Sequence, residues 1–223
     1  MATILNLETA TKNCSVGISV DGKPVAVVEE FAEKYIHSEK LHQFIQECLT
    51  KASKAFKDLD AIAVSNGPGS YTGLRIGVSA AKGLCYALNI PMIALNTNDI
   101  LVSAVQETVV KSNYMSVIDA RRNEVFARLY DSKKQPLSDI QAIELEAGMY
   151  GDIDFLTVIG DAANKTKELI NHPNVSALEL LPSAEMMAVL SQEKFDSGAF
   201  TNLAYHEPFY LKDFVAGKPR KLL

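Results

Sequence analysis

Cysteine is scarce in this sequence, which has three such residues among 223. Cys14, Cys48 and Cys85 lie far apart, and no pair has the CxxC or similar spacing of a metal site. Each lies among apolar or small neighbours, where a free thiol behaves as a small buried hydrophobe. The pattern therefore predicts three buried free thiols and no cysteine-based metal site.

Long apolar runs are also missing. No window approaches the roughly 18 uninterrupted apolar residues of a membrane-spanning helix. The opening residues, MATILNLETA, lack the basic region and the long apolar run of a secretion signal. We therefore expect a cytoplasmic protein that makes no membrane contact.

The sequence has no surplus of positive charge. Lysine and arginine number 22 against 27 acidic residues, which gives a formal net charge of −5. A dedicated nucleic-acid binder is usually basic, because neutralising phosphates supplies most of its affinity. If RNA is involved, we expect a partner protein to supply most of the binding energy. The short basic tail GKPRKLL, residues 217–223, is interpreted as a solvated terminus.

The first hundred residues combine two hydrophobic periods. Asp21-Gly22 is typical of a two-residue hairpin turn, because both central positions of a type I′ turn need positive φ. Apolar residues alternate over 15–20 with the two-residue period of a strand. Over 38–52 they recur with the 3.6-residue period of a helix, for which Ser38 is the expected N-cap. In chain order we predict strands at 3–7, 15–20 and 25–31, a helix at 38–52, a strand at 61–65, a helix at 72–88 and a strand at 91–95.

The second half weakly repeats this order. The segments ILNLETATKNCSVGISVDG and MSVIDARRNEVFARLYDSK both consist of strand, acid, polar turn, strand and turn. Two copies of β-β-β-α-β-α-β indicate an α/β fold of the actin/Hsp70 type (ASKHA, ribonuclease H-like), with lobes at 1–104 and 105–223. For the second lobe we predict a helix at 97–110 leading in, strands at 114–119, 124–130, 155–160 and 175–180, and helices at 162–171 and 183–195, the last capped by Ser183.

Glycine is concentrated in the stretch SNGPGSYTGLRIGVSAAKGL, residues 65–84. Its place between a strand and a helix suits a phosphate cradle, but it has neither the lysine of a Walker A loop nor the GxGxxG spacing. Interior glycines cost a helix about 0.5–1 kcal/mol each relative to alanine. The apolar residues of this helix form two stripes, which predicts burial on two sides. We therefore expect Gly73, Gly77 and Gly83 to make room for a second helix, from this chain or another.

No catalytic constellation emerges from the remaining polar residues. His37 and His42 would point about 140° apart on a helix, so a shared metal site is not expected. Glu8 ends the first strand, where two-lobed nucleotide-binding folds carry an acid near the phosphates, and Asp119, followed by an Ala-Arg-Arg turn, is its counterpart in the second half. We find no GxSxG, no cysteine with a partner and no facing pair of carboxylates. The sequence therefore predicts no catalytic residue and no metal ligand.

Six segments together resemble one known family across essentially the whole chain. They are ILNLETATKNCSVGI, HSEKLHQFIQECL, SNGPGSYTGLRIGVSAAKGL, PMIALNT, VIDARRNEVF and EPFYLKD. In this order and at these distances they resemble the bacterial TsaB (YeaZ) family. The block GPGSYTGLRIG combined with DARxxEVF is the most specific part of the resemblance.

The resemblance implies a part in making threonylcarbamoyladenosine beside the anticodon of tRNAs. It implies a non-catalytic paralogue of the transferase TsaD, which binds that enzyme, joins a larger assembly with the ATPase TsaE, and meets tRNA through the complex. Alone, such a chain is expected to form a homodimer. The two helices of the first lobe would pack on their counterparts in TsaD or in a second copy, through His37, Leu41, Ile45, Cys48, Thr72, Gly73, Arg75, Ile76, Gly77, Ala80, Gly83 and Ala87.

A nucleotide site is implied only at the junction with the partner. The resemblance gives the chain alone no cofactor, but it associates a nucleotide with the TsaB–TsaD junction in the family. ATP or ADP would there lie near Glu8, Thr9, Gly67, Pro68, Gly69 and Ser70.

Several positions depart from the family pattern. Glu8 stands where the first strand commonly ends in Asp, and the HxxxH metal histidines of TsaD are absent, with only His37 aligning to a family histidine. The alternative interpretation is a stand-alone ATP-dependent phosphotransferase or a glycoprotease-like peptidase. It depends on the two-lobed fold and on the acids Glu8 and Asp119, and no peptidase constellation supports its second form.

Overall fold

The chain folds around two five-stranded sheets. The structure is a computed structural model that describes residues 1–105 and 112–212. A short 3-10 helix at Phe56–Asp58 follows the first α-helix. The elements are β1 (Thr3–Glu8), β2 (Asn13–Val20), β3 (Lys23–Phe31), α1 (His37–Lys51), β4 (Ala61–Gly67), α2 (Tyr71–Leu88), β5 (Met92–Asn96), α3 (Thr97–Ser103), β6 (Asn113–Asp119), β7 (Glu124–Tyr130), β8 (Gln141–Glu144), β9 (Leu156–Gly160), α4 (Ala163–Ile170), β10 (Val175–Glu179) and α5 (Ala188–Asp196).

The first sheet follows the predicted topology. Its strand order is β3-β2-β1-β4-β5, with β1 antiparallel to β2 and parallel to β4. The β2–β3 hairpin turns at Asp21 and Gly22, whose φ angles are 48° and 73°. Both values are positive, as a type I′ turn requires, so the predicted hairpin is confirmed.

The second sheet repeats the order of the first. Its strands run β10-β9-β6-β7-β8, and β6 is again antiparallel to its hairpin partner and parallel to the next crossover strand. The duplicated order confirms the actin/Hsp70-type α/β fold. One helix of the repeat does not form between β8 and β9, where residues 147–152 form turns. Gly148 and Tyr150 there have φ angles of 80° and 60°, which a helix cannot contain.

Three predicted helix boundaries are wrong. α1 begins at His37 after Ile36, which makes no side-chain cap, so Ser38 is not the N-cap. α3 ends at Ser103, and the rest of the predicted helix, 106–110, lies outside the described residues. α5 begins at Ala188, because the hydroxyl of Ser183 donates to Glu29 Oε2 at 2.7 Å and the residues after it form a turn.

Helices cover both faces of the first sheet. Side chains of β1 alternate between two cores, with Leu5 and Leu7 against α1 and α2, and Ile4 against Ala184 and Met187. Helix α5 follows the second sheet in the chain but packs on β1, β2 and β5 of the first. The predicted lobe boundary between 104 and 105 stays a prediction. Among the described residues, no helix has the length and apolar character needed to cross a membrane.

Candidate functional site

The glycine-rich turn between β4 and α2 fits tightly against its own chain. Gly67 has a φ of +113°, and a Cβ there would lie 2.7 Å from the carbonyl oxygen of Phe209. A Cβ on Gly69 would lie 2.4 Å from the carbonyl oxygen of Ala10, which accepts the N–H of Ser70 at 2.7 Å. Real Cβ atoms do not approach other atoms this closely. These two glycines are therefore required by the fold of this chain.

Two of the helical glycines also serve the chain's own packing. A Cβ on Gly73 would lie 2.2 Å from the carbonyl oxygen of Thr9, and one on Gly77 would lie 2.2 Å from Thr9 Oγ1. Our prediction that these two glycines make room for a second helix, from this chain or another, is therefore wrong. Their clearance is filled by the turn that follows β1. Gly83 differs, because no atom of the described residues lies within 4 Å of the position its Cβ would take.

The predicted interface residues of α1 belong to the chain's own core. His37, Leu41, Ile45 and Cys48 are each at most 1% exposed. They form the one apolar stripe of this helix, which must cover the sheet beneath it. The assignment of these four side chains to a partner surface is therefore corrected. The outward face of α1 is polar and carries Glu39, His42, Gln43, Gln46, Glu47 and Thr50.

The outward face of α2 is made largely of small side chains. Thr72, Arg75, Gly83 and Ala87 are exposed and Ile76 is half-buried, whereas Ala80 is only 9% exposed. The interface role of the exposed residues stays a prediction, and Ala80 contributes mainly to the core. Exposed residues that our sequence reasoning did not include on this face are Ser79 and Tyr86, the latter 83% exposed.

A cationic and aromatic cluster lies at the start of α2. The guanidinium of Arg75 lies 4.3 Å from the ring centroid of Tyr71, and its Nε donates to the hydroxyl of Tyr210 at 3.3 Å. The ring centroids of Tyr71 and Tyr210 are 4.7 Å apart. The sequence reasoning missed both tyrosines, because their positions are 139 residues apart, although Tyr210 lies in the EPFYLKD segment of the resemblance.

The residues predicted to meet a nucleotide do come together, at the carboxyl ends of β1 and β4. Three backbone donors of this turn region form hydrogen bonds within the chain. Thr9 N–H donates to Ser65 Oγ at 3.1 Å, Ala10 N–H to Glu8 Oε1 at 2.6 Å, and Gly73 N–H to Ser70 Oγ at 3.2 Å. A phosphate would compete with these bonds. The nucleotide role of Glu8, Thr9, Gly67, Pro68, Gly69 and Ser70 stays a prediction.

Glu8 itself is fully buried. Loss of water raises the pKa of its carboxyl from 4.5 to about 7, against the opposing effect of the N–H of Ala10. Ser65 lies beside the carboxyl and also favours its charged form. The second oxygen, Oε2, has no hydrogen-bond partner among the described residues. Burial therefore favours the neutral acid at pH values at which an ordinary glutamate is ionised.

A cleft of about 1140 Å³ lies between the two sheets. The first lobe contributes the β1–β2 turn and the start of α2, and the second contributes the β6–β7 turn. Asp119 forms an ion pair with Lys165. Burial raises the pKa of Asp161 to about 6, opposed by the N–H of Asp119, which its Oδ1 accepts at 2.8 Å. The residues that line the cleft include three cations, Lys12, Arg121 and Lys212, and three acids, Asp119, Asp161 and Glu179.

The histidines and cysteines form no site together. His37 is buried beside Tyr35, with 5.6 Å between ring centroids, while His42 is exposed on the other side of α1. Over residues 1–105 and 112–212, no group of three or more His, Cys, Asp and Glu could hold a metal ion. All three cysteines are buried and free, as predicted.

Comparison with known proteins matches this geometry to one family. The family model described as TsaD, tRNA N6-adenosine threonylcarbamoyltransferase, matches residues 26–147. The tRNA threonylcarbamoyladenosine biosynthesis protein TsaB of Haemophilus influenzae is 33% identical over 97% of this chain and 96% of its own length. The solved structure of YeaZ from Pseudomonas aeruginosa is 26% identical, covers 95% of this chain and 100% of its own, and superposes with a TM-score of 0.82.

A transferase is similar over a shorter stretch. The tRNA N6-adenosine threonylcarbamoyltransferase of Dictyoglomus turgidum is 38% identical over 41% of this chain and 32% of its own length. The similarity to TsaB proteins extends over nearly the whole chain, whereas this transferase matches less than half of it. The chain therefore belongs to the family that the TsaD model describes and, within it, to the TsaB (YeaZ) family of tRNA threonylcarbamoyladenosine biosynthesis proteins.

Proposed function

We propose that this chain is a non-catalytic subunit in tRNA threonylcarbamoyladenosine formation that binds and supports a TsaD-type transferase. The observation that carries the proposal is the exposed face of α2. Gly83 lies there with open space around it, between the small side chains of Ser79 and Ala87. A helix that presents small residues lets a second helix approach closely.

Gly83 needs an explanation that the fold of the chain does not supply. A glycine inside a helix costs about 0.5–1 kcal/mol relative to alanine. Gly73 and Gly77 offset this cost by admitting Thr9, whereas a Cβ at Gly83 would have no atom of the described part of the chain within 4 Å. A partner helix against this position would account for the absence of a side chain there.

The relatedness of this chain to the TsaD-type transferase favours a symmetric contact between them. The matched stretch, residues 26–147, contains both α1 and α2. A related transferase would therefore carry counterparts of both helices, and like surfaces meet readily about a twofold axis. The same surface would support a homodimer when the transferase is absent. TsaE and tRNA would join through the complex, and ATP or ADP would bind beside the 67–70 turn at the junction.

The test is a leucine on the open face of α2. Gly83→Leu should leave the monomer folded, because the position is free of contacts, and should weaken association with the cognate TsaD about tenfold or more, as overpacking of 1–3 kcal/mol implies. Gel filtration with light scattering would follow the complex. Glu168→Leu, on the exposed side of α4, adds the same side chain elsewhere and should bind like the wild type.

Two results would contradict the proposal. One is a Gly83→Leu chain that forms the complex as strongly as the wild type. The other is tRNA threonylcarbamoylation by TsaD, TsaE and their substrates that proceeds equally with and without this chain. Turnover of Mg-ATP by the purified chain alone would favour a stand-alone phosphotransferase instead.

A further inference from the structure

The turn after β1 connects the cleft to helix α2. Thr9 faces α2, where Gly73 and Gly77 leave the space that its carbonyl and hydroxyl occupy. The next two residues, Ala10 and Thr11, line the cleft. Ala10 also accepts the N–H of Ser70, the residue that caps α2. A movement of this turn would therefore change the shape of the cleft and the position of the start of α2 together.

Glu8 holds this turn in place through a hydrogen bond. Its Oε1 accepts the N–H of Ala10 at 2.6 Å, which fixes the direction of the chain as it leaves β1. The carboxyl is fully buried, and its Oε2 has no partner among the described residues. A buried carboxyl with an unpartnered oxygen is stable as the neutral acid and costly as the anion.

No positive charge compensates the anion at this place. Among the residues that the structure describes, no ion pair reaches Glu8. The facing part of α2 consists of Gly73 and Gly77, and β4 contributes the neutral hydroxyl of Ser65. The titratable and charged groups on β2, β3, the β1–β2 turn and the start of α1 include Cys14, Glu29, Glu30, Lys12 and His37. Lys12 pairs with Glu33 at 3.5 Å.

We propose that Glu8 is a proton-controlled latch, which holds the Thr9–Ala10 turn against α2 when neutral and loosens it when ionised. Ionisation buries an anion whose Oε1 accepts the N–H of Ala10 but whose Oε2 has no partner among the described residues, and this draws water or a rearranged turn toward Oε2. The turn then loses its close fit to Gly73 and Gly77, and the first turns of α2 lose their support. The effect on partner binding rests on the proposed function, since it requires α2 to carry the interface.

The direction of the pH dependence follows from the higher proton affinity of the folded state. The pKa of Glu8 is about 7 in the folded chain against 4.5 for a free side chain, so the folded chain holds an additional proton between these values. Stability from this group is therefore fully present below about pH 4.5 and is lost as pH rises through 7. The unfolding equilibrium constant should rise by up to about tenfold per pH unit in this window.

Comparison with Glu8→Gln isolates this contribution. The amide is neutral at every pH and retains an oxygen for the N–H of Ala10. Between pH 5 and 8 the ratio of the wild-type to the Glu8→Gln unfolding constant, from urea titrations, should rise about seventyfold. Glu30→Gln, which removes an exposed carboxyl on β3, should give a ratio that barely changes. A flat ratio for Glu8→Gln would overturn the proposal.

Measurements on the wild-type chain do not depend on the folding of a variant. A carboxyl carbon signal of Glu8 that titrates near pH 7 in NMR supports the latch, and one that titrates near pH 4.5 refutes it. Hydrogen-exchange protection of the Ala10 amide, corrected for intrinsic rates, should fall by tenfold or more between pH 6 and 8.5. Unchanged protection would show that ionisation does not loosen the turn.

Measuring the association with TsaD at two pH values tests the latch and the proposed function separately. Binding by the wild type should weaken between pH 6 and 8.5, while binding by Glu8→Gln should change less over the same range. If both bind equally well at both pH values, the coupling to α2 is wrong. If neither binds at any pH, the proposed function fails, and the NMR and hydrogen-exchange results decide the latch by themselves.

Discussion

The same substitution at two positions of α2 should have opposite effects on stability. Gly73→Ala places a Cβ 2.2 Å from the carbonyl oxygen of Thr9, so the helix and the turn must move apart. Gly83→Ala places a Cβ where no atom lies within 4 Å. Neither glycine has a positive φ, so backbone strain does not distinguish them. The contrast therefore isolates the close contact with Thr9.

The expected magnitudes differ in sign. At Gly83 only the helix preference acts, so alanine should stabilise the chain by about 0.5–1 kcal/mol. At Gly73 the overpacking cost of about 1–3 kcal/mol opposes that gain, which leaves a net loss of about 1–2 kcal/mol. For a chain of this size 1 kcal/mol corresponds to about 2–4 °C in Tm, so the two variants should melt several degrees apart.

Urea unfolding followed by circular dichroism would measure both variants against the wild type. The m-values should stay equal, because neither change alters the surface exposed on unfolding. The experiment is best done at pH 6, where the protonated form of Glu8 prevails. If Gly73→Ala is as stable as the wild type or more so, the contact with Thr9 is not the reason for glycine at that position.

Two further predictions concern groups outside α2. Tyr130→Phe removes an O–H that donates to Asp99 Oδ1 at 2.6 Å, and should lower the free energy of unfolding by about 1.5–3 kcal/mol in urea titrations; an unchanged value would show that Arg128, 2.9 Å from the same oxygen, suffices. Burial raises the pKa of Cys14 and Cys85 to about 12 and that of Cys48 to about 11, so at pH 8 all three thiols should react with a disulfide reagent far more slowly in the native chain than in urea. Rapid native labelling would contradict their burial.

The order of strands and helices was largely predictable, because hydrophobic period and turn residues are local signals. The hairpin at Asp21-Gly22 and strand β7 appear as predicted. β8 was missed because its four residues are mostly exposed and carry little alternation. The starts of α1 and α5 were misplaced because Ser38 and Ser183 match a cap preference that the structure does not use at either position.

The candidate site was predictable only in outline. The sequence marked the glycine-rich stretch and Glu8 as unusual, and the structure places them side by side. It could not show which atoms the glycines admit, because Thr9 and Gly77 are separated by 68 positions in the chain. It also could not tell the core stripe of α1 from a partner surface, since both are apolar faces of a helix.

The sequence by itself determined the duplicated α/β fold, the family and the cost of three glycines in one helix. These follow from periodicity, motif spacing and residue type, which need no coordinates. Only the tertiary structure decided what the glycines are for, because clearance is a distance between residues far apart in the chain. It assigns Gly73 and Gly77 to the turn after β1, leaves Gly83 exposed, and buries Glu8 where none of the residues that the structure describes forms an ion pair with it.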